Sequence, residues 1–70
     1  GSFASRENAR NLAGRLERAG VDDVFVDRVL LDAGLRWRVR IGPLSRGGEA
    51  ERVLSRLRAL GIRGVAVTAD

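Results

Sequence analysis

Apolar and arginine side chains alternate without a break through the middle of the chain. Apolar residues occupy the odd positions from Leu35 to Ile41, and the even positions between them are Arg36, Arg38 and Arg40. Successive side chains of a β-strand point to opposite faces of a sheet, so the pattern predicts a strand with one packed face and one basic face. Gly42-Pro43 is predicted to end this strand, because proline has no N–H for the hydrogen-bond ladder. Any fold must therefore cover one face of the strand and leave a row of arginines on the other.

Composition excludes several kinds of site. The chain has 70 residues with no cysteine and no histidine, which predicts one domain without disulfides, thiolate or imidazole metal sites, or catalysis by Cys or His. We expect neither a cofactor nor a metal. No apolar run approaches the length of about 18 residues that a membrane span needs. Every basic residue is arginine, and the net charge of +4 permits an anionic partner without requiring one.

The spacing of apolar residues predicts two helices, one before and one after the basic strand. The first begins after Ser5, a typical N-cap, and ends before Gly20; its apolar stripe is Ala9, Leu12, Ala13, Leu16 and Ala19. The second ends at Gly61, and its stripe is Ala50, Val53, Leu54, Leu57 and Leu60. Ser45 is a possible cap for the second helix, although Gly47-Gly48 disfavour a tight first turn.

Two further stretches have the composition of strands. In residues 24–30 the valines at the start should face the core, while Phe25 and Asp27 point to the opposite face. Turn residues 32–34 join this stretch to the basic strand as a β-hairpin. Residues 65–68 are predicted to form a short last strand.

The two halves of the chain repeat each other. When the second half is aligned on the first, Arg15-Leu16 matches Arg56-Leu57. Two βα units, residues 1–30 and 34–70, joined by a hairpin give the β-α-β-β-α-β order of a ferredoxin-like or RNP-like α+β domain. This fold class predicts an antiparallel sheet with both helices on one face. The open face would then carry Ser2, Phe25, Arg36, Arg38, Arg40, Ala66 and Thr68.

Three segments carry the motifs of a known family in the family's order. They are Gly1-Ser2-Phe3-Ala4-Ser5 with Glu7-Asn8-Ala9, then Trp37-Arg38-Val39-Arg40-Ile41-Gly42-Pro43-Leu44, then Glu49-Ala50-Glu51. Together they resemble the SPOR domain, the sporulation-related repeat of bacterial envelope proteins. The resemblance implies a non-catalytic module that binds septal peptidoglycan and favours glycan strands stripped of their stem peptides. It also implies a periplasmic location at the division septum. Such domains are usually the C-terminal module of a cell-division protein, a lytic transglycosylase or an amidase.

The chain departs from the family at its first strand. That strand normally includes several residues before the Gly-Ser-Phe, with a glutamine on the open face, whereas this sequence begins at Gly1. In this topology the strand pairs on both sides, so an empty position would leave two rows of backbone groups unpaired. We therefore expect the position to be filled. Either residues upstream in a longer protein fill it, or a second chain donates or exchanges a strand in a dimer.

The open face holds the candidate site residues. Arginine offers a planar fork of donors for sugar hydroxyls and for the lactyl carboxylates of stripped glycans. Phe25 is a candidate surface on which a sugar ring can stack. Trp37 is at an odd position, like the residues that are predicted to face the core, so its side chain is predicted to be packed. The predicted ligand-binding residues are Ser2, Phe25, Arg36, Arg38, Arg40 and Thr68. We expect no catalytic residue, because Asp22, Asp23, Asp27 and Asp32 lie in or beside turns and form no acid–base pair.

The sequence also permits two alternatives to glycan binding. RRM domains, which bind nucleic acid, have the same topology and an open sheet, and a basic face suits phosphates. The outward residues of the basic strand, however, lack the aromatic rings that stack on RNA bases. The other alternative is an interaction module that pairs with a partner through its sheet edge. Glycan binding is favoured over both.

Overall fold

The alternating stretch forms the central strand of a three-stranded sheet in the structure, a computed structural model that describes residues 2–70. The elements are α1 (Arg6–Arg18), β1 (Val24–Leu31), β2 (Gly34–Leu44), α2 (Glu49–Ala59) and β3 (Ala66–Ala69). Gly1, part of the predicted first strand, lies outside the described residues. The α+β class is confirmed, with two helices and one sheet.

The β1–β2 hairpin is confirmed. A two-residue turn at Asp32-Ala33 brings Leu31 opposite Gly34, so both strands reach the turn itself. Because no residue is skipped along the antiparallel ladder, this turn fixes every later pair, including Phe25 with Arg40.

The strand order differs from the expected antiparallel ferredoxin-like sheet. The order is β1-β2-β3, with β1 and β2 antiparallel but β2 and β3 parallel, so the sheet is mixed. The position expected for the first strand is shared by two segments of the same chain. Ala66–Ala69 pairs with the end of β2, and Phe3 exchanges two backbone hydrogen bonds of 2.8 Å with Trp37. Unpaired strand edges are costly, so the last strand takes the vacant side of β2. The structure gives no support for a strand donated by a second chain.

The prediction that β2 ends at Gly42-Pro43 was wrong. The strand continues to Leu44, which pairs with Ala69 after an irregularity in the β2–β3 register. The irregularity allows Pro43, which has no N–H to donate, to sit at an exposed position within the strand. Gly42 has a φ of +110°, and its N–H donates to the Asp23 carbonyl at 2.9 Å.

The helices begin and end largely where capping rules place them. The Ser5 hydroxyl accepts a hydrogen bond from the Asn8 N–H at 3.3 Å, which confirms the first cap. Gly20 and Gly61 follow the helices with positive φ values of 87° and 71°, as C′ glycines do. Ser45 is not the cap of α2. Gly48, with a φ of 78°, occupies that position and makes no side-chain hydrogen bond.

Both helices cover the same face of the sheet, as predicted. The core is one cluster that consists of Ala9, Ala13, Leu16, Val21, Val39, Ile41, Leu44 and Leu57. Trp37 packs against this cluster, and its indole N–H is buried without a hydrogen-bond partner in the described part of the chain. Leu35, predicted to be packed, is 42% exposed because it lies next to the hairpin turn, beyond the cover of the helices. Leu54 and Leu60 of the α2 stripe are also exposed, because α2 packs mainly on the short β3.

We predict that Gly42→Ala separates β3 from β2. A Cβ at this position would lie 2.5 Å from the Thr68 carbonyl oxygen, closer than any real contact of this kind, and the φ of +110° disfavours a side chain. The expected loss is about 3 kcal/mol in the free energy of unfolding, measured with urea. Gly61→Ala is the control, because its φ is also positive but nothing lies within 4 Å, and it should lose only about 1 kcal/mol. Equal losses for the two variants would contradict the close approach.

Candidate functional site

The sheet face opposite the helices carries side chains from all three strands. Alternation places the arginines of β2 on this face, since Val39 and Ile41 between them are fully buried on the other. Across the sheet, Arg40 lies between Phe25 on β1 and Ala66 on β3. Arg38 lies opposite Asp27, and this is the next pair toward the turn whose side chains are on this face.

Arg40 is held in place by three neighbours on the hairpin. Its guanidinium carbon lies 4.6 Å from the centre of the Phe25 ring, within the range of a cation–π contact. Its Nε donates to Asp27 Oδ2 at 2.7 Å, and its Nη2 is 3.4 Å from Asp27 Oδ1. Its Nη1 donates to the Gly42 carbonyl. The arginine plane is therefore fixed over the aromatic ring, and most of its donors are already engaged.

The ion pair keeps both partners charged. The hydrogen bond from Arg40 lowers the pKa of Asp27; partial burial opposes this effect, and the positive charges of Arg40 and Arg38 add to it. The same hydrogen bond raises the pKa of Arg40 above its ordinary value. Since the Asp27 side chain is 43% exposed, water screens the pair, so it stabilises the fold only slightly and its main effect is to orient Arg40.

The remaining predicted site residues have different surroundings. The Arg38 side chain is exposed and makes no hydrogen bond or ion pair within residues 2–70, whereas the Arg36 side chain donates from Nη1 to the Leu35 carbonyl at 2.9 Å. Thr68 is half-buried on β3, and its hydroxyl donates to the Ile41 carbonyl at 3.4 Å. Ser2 is exposed beside Phe3, at the turn-side half of β2. The structure thus gathers Phe25, Arg38 and Arg40 at the centre and leaves the other three around them.

Asp27 is the residue whose role the sequence analysis missed. Its place in the strand over residues 24–30 and its direction toward the open face were predicted, but it was also grouped with the carboxylates in or beside turns and given no partner; in β1 it binds Arg40. The signal was present in the hairpin: a two-residue turn at Asp32-Ala33 places Asp27 opposite Arg38, on the same face as Arg40. Arg40 was predicted as a donor to the ligand, and that prediction did not include its pairing with Asp27.

Within residues 2–70, no group of three or more acidic, His or Cys side chains is placed to hold a metal ion. No described helix has the length and apolar character needed to cross a bilayer.

Comparison with known families identifies the class of this domain. The sequence matches the SPOR domain family over residues 1–68, essentially its whole length. The chain belongs to the SPOR domain family, whose members are in general non-catalytic modules that bind septal peptidoglycan. These domains are associated with the cell envelope and the division septum. Searches of the curated proteins and of the solved structures find no match. The nucleic-acid alternative gains no support from these comparisons.

We predict that Asp27→Asn lowers stability near neutral pH and has little effect in strong acid. A carboxylate with a lowered folded-state pKa stabilises the fold above its ordinary pKa of 3.8, and this gain is lost as the pH falls through the folded-state value. Urea unfolding of the parent and the variant, from about pH 6 to about pH 2, measures the difference. In an Arg40→Ala background most of the pH-dependent difference should disappear. A difference that stays constant with pH, or survives unchanged without Arg40, would contradict the pairing.

Proposed function

We propose that this domain binds peptidoglycan glycan strands that lack stem peptides, and that the strand lies across the open sheet face. The observation that carries the proposal is the arrangement of this face: an arginine row on β2 beside a half-exposed aromatic ring, on the side that no helix covers. Membership of a peptidoglycan-binding family supplies the ligand class. The face offers both contacts that a glycan requires, a flat apolar patch and hydrogen-bond donors.

Phe25 and Arg40 form the platform in this proposal. Phe25 is 47% exposed, and Arg40 above it is fixed by Asp27, so the two planes present a rigid surface to a sugar ring. Aromatic and guanidinium groups each combine an apolar face with polar edges, which suits the mixed surface of a pyranose. A site fixed before binding loses little conformational entropy when the ligand arrives.

Arg38 and Arg36 provide the charged recognition. Arg38 is exposed, and none of its side-chain donors is used within the described residues. Arg36 uses only one side-chain donor, in the hydrogen bond to the Leu35 carbonyl. A stem peptide is attached to the glycan through an amide at the lactyl carboxyl, so only a stripped glycan presents that group as a carboxylate. Charge-assisted hydrogen bonds from arginine favour the carboxylate over the neutral amide, and this difference supports selectivity for stripped strands.

Ser2 and Thr68 lie at the margins of the proposed site. Ser2 is exposed near the turn-side half of β2, and Thr68 lies on β3 beyond the platform. Hydroxyl groups at both margins suit neighbouring sugars of an extended strand, since each can donate and accept. We infer that the domain acts in the periplasm, where it brings the protein that carries it to septal glycan.

We predict that Arg36→Ala/Arg38→Ala weakens retention on stripped glycan by about tenfold or more, because hydrogen bonds to charged groups are lost. The assay compares sacculi treated with an amidase, untreated sacculi and homopolymer RNA. The melting temperature should be nearly unchanged, since both side chains point away from the core. Arg46→Ala/Arg58→Ala is the matched control, because it removes the same charge from exposed positions outside the sheet. The proposal would be refuted if the double variant were retained as well as the parent. It would also be refuted if the parent bound RNA more tightly than glycan.

A second prediction isolates the aromatic platform. Phe25→Ala should also reduce glycan retention by about tenfold, because a ring that stacks on a ligand contributes about 1–3 kcal/mol. Leu30→Ala is the control, since Leu30 is apolar and 81% exposed on the same strand but points to the helix side. If the two variants lose equal retention, the effect is general to the hairpin and Phe25 is not a platform.

A further inference from the structure

A groove runs between α1 and the outer edge of β1. Two adjoining cavities form it, with volumes of about 370 and 410 Å³, and they share Arg10 and Val26 in their walls. The first cavity is lined by α1, β1 and Trp37 of β2, and the second by α1 and β1 alone. This groove lies at the side of the domain, and its second cavity also reaches Phe25 and Asp27 at the margin of the open face of the sheet.

The backbone along this groove is available for pairing. Within residues 2–70, β1 pairs only with β2 and forms the edge of the sheet. In an antiparallel ladder, alternate residues direct their N–H and C=O groups outward. The Gly42 N–H bonds the Asp23 carbonyl, so the odd residues of β1 face β2 and the even ones, Val24, Val26, Arg28 and Leu30, face the groove side. β1 has eight residues with no proline, and such an edge is a template for another strand.

One end of the groove is strongly basic. Arg6, Arg10 and Arg28 line the cavity beside Trp37, and no acidic side chain lines it. All three arginines are exposed, and none of their side chains forms a hydrogen bond or an ion pair within the described part of the chain. The other end holds Glu17 and Asp27, of which Asp27 is already bound to Arg40. The groove therefore joins an unpaired strand edge to a cluster of three unpaired positive charges.

We propose that this groove binds an extended acidic peptide segment of a partner protein, which adds to β1 as a strand and places carboxylates among Arg6, Arg10 and Arg28. Strand addition supplies the backbone hydrogen bonds, and the arginines select the charge of the segment. A peptide is favoured over a phosphate polymer, because only another strand satisfies the alternating N–H and C=O groups of β1. This inference does not rest on the proposed glycan binding.

The test is an NMR titration of the 70-residue chain, labelled with nitrogen-15, with a capped eight-residue peptide that alternates glutamate and threonine. The expected result is a shift of the β1 amide signals. Arg6→Gln/Arg10→Gln/Arg28→Gln should weaken binding by about tenfold or more, because charge-assisted hydrogen bonds are lost. Arg18→Gln/Arg46→Gln/Arg58→Gln removes the same charge elsewhere on the surface and should bind like the parent. Arg28→Gln alone provides a milder variant if the triple variant unfolds, and its binding should also weaken.

Four results would overturn the inference. They are no shift with the acidic peptide, equal binding of a peptide with lysine in place of glutamate, equal binding of one with a central proline, and competition of polyphosphate for the same signals. The proline peptide cannot donate the central ladder hydrogen bond, so its failure to bind supports strand addition. Retention of the triple variant on stripped sacculi should equal that of the parent, which separates this groove from the glycan site.

Discussion

The register of the β1–β2 hairpin is the constraint on which the rest of the structure depends. The two-residue turn at Asp32-Ala33 sets Phe25 opposite Arg40 and Asp27 opposite Arg38, and the Arg40–Asp27 ion pair forms on the diagonal between these pairs. The same register buries Val39 and Ile41 under the helices. A shift by one residue would turn the arginines into the core and the apolar residues into solvent. One turn thus decides both the packing and the chemistry of the open face.

The sequence was sufficient for the local structure and for the two faces of the sheet. Period-two alternation placed the arginines and Phe25 together because side-chain direction in a strand follows from position alone. Helix caps such as Ser5 were also predictable, since a cap depends on residues three apart. The ion pair between Arg40 and Asp27 was not predicted, because β2 was considered without the cross-strand register that the turn imposes.

Strand order could not be read from the sequence in the same way. Which segment lies beside β2 is decided by competition among distant segments for its backbone groups, and here Ala66–Ala69 and Phe3 divide that side between them. Local patterns carry no information on such competition. The continuation of β2 beyond Gly42-Pro43 is also a result of long-range pairing. Local sequence rules would end the strand there, but the pairing of Leu44 with Ala69 extends it.

The parallel pairing of β2 with β3 bears on the order in which the domain assembles. The hairpin closes over two turn residues, whereas β3 reaches β2 only after the whole of α2 has been folded back. Closing a longer loop costs more entropy, so we expect the hairpin to form before β3 pairs and β3 to be the first strand released in local unfolding. All the contacts that fix Arg40, to Phe25, Asp27 and Gly42, lie on the hairpin or within β2 itself. The proposed platform of Phe25 and Arg40 therefore belongs to the most locally encoded part of the domain, and we expect it to persist when the C-terminal strand is released.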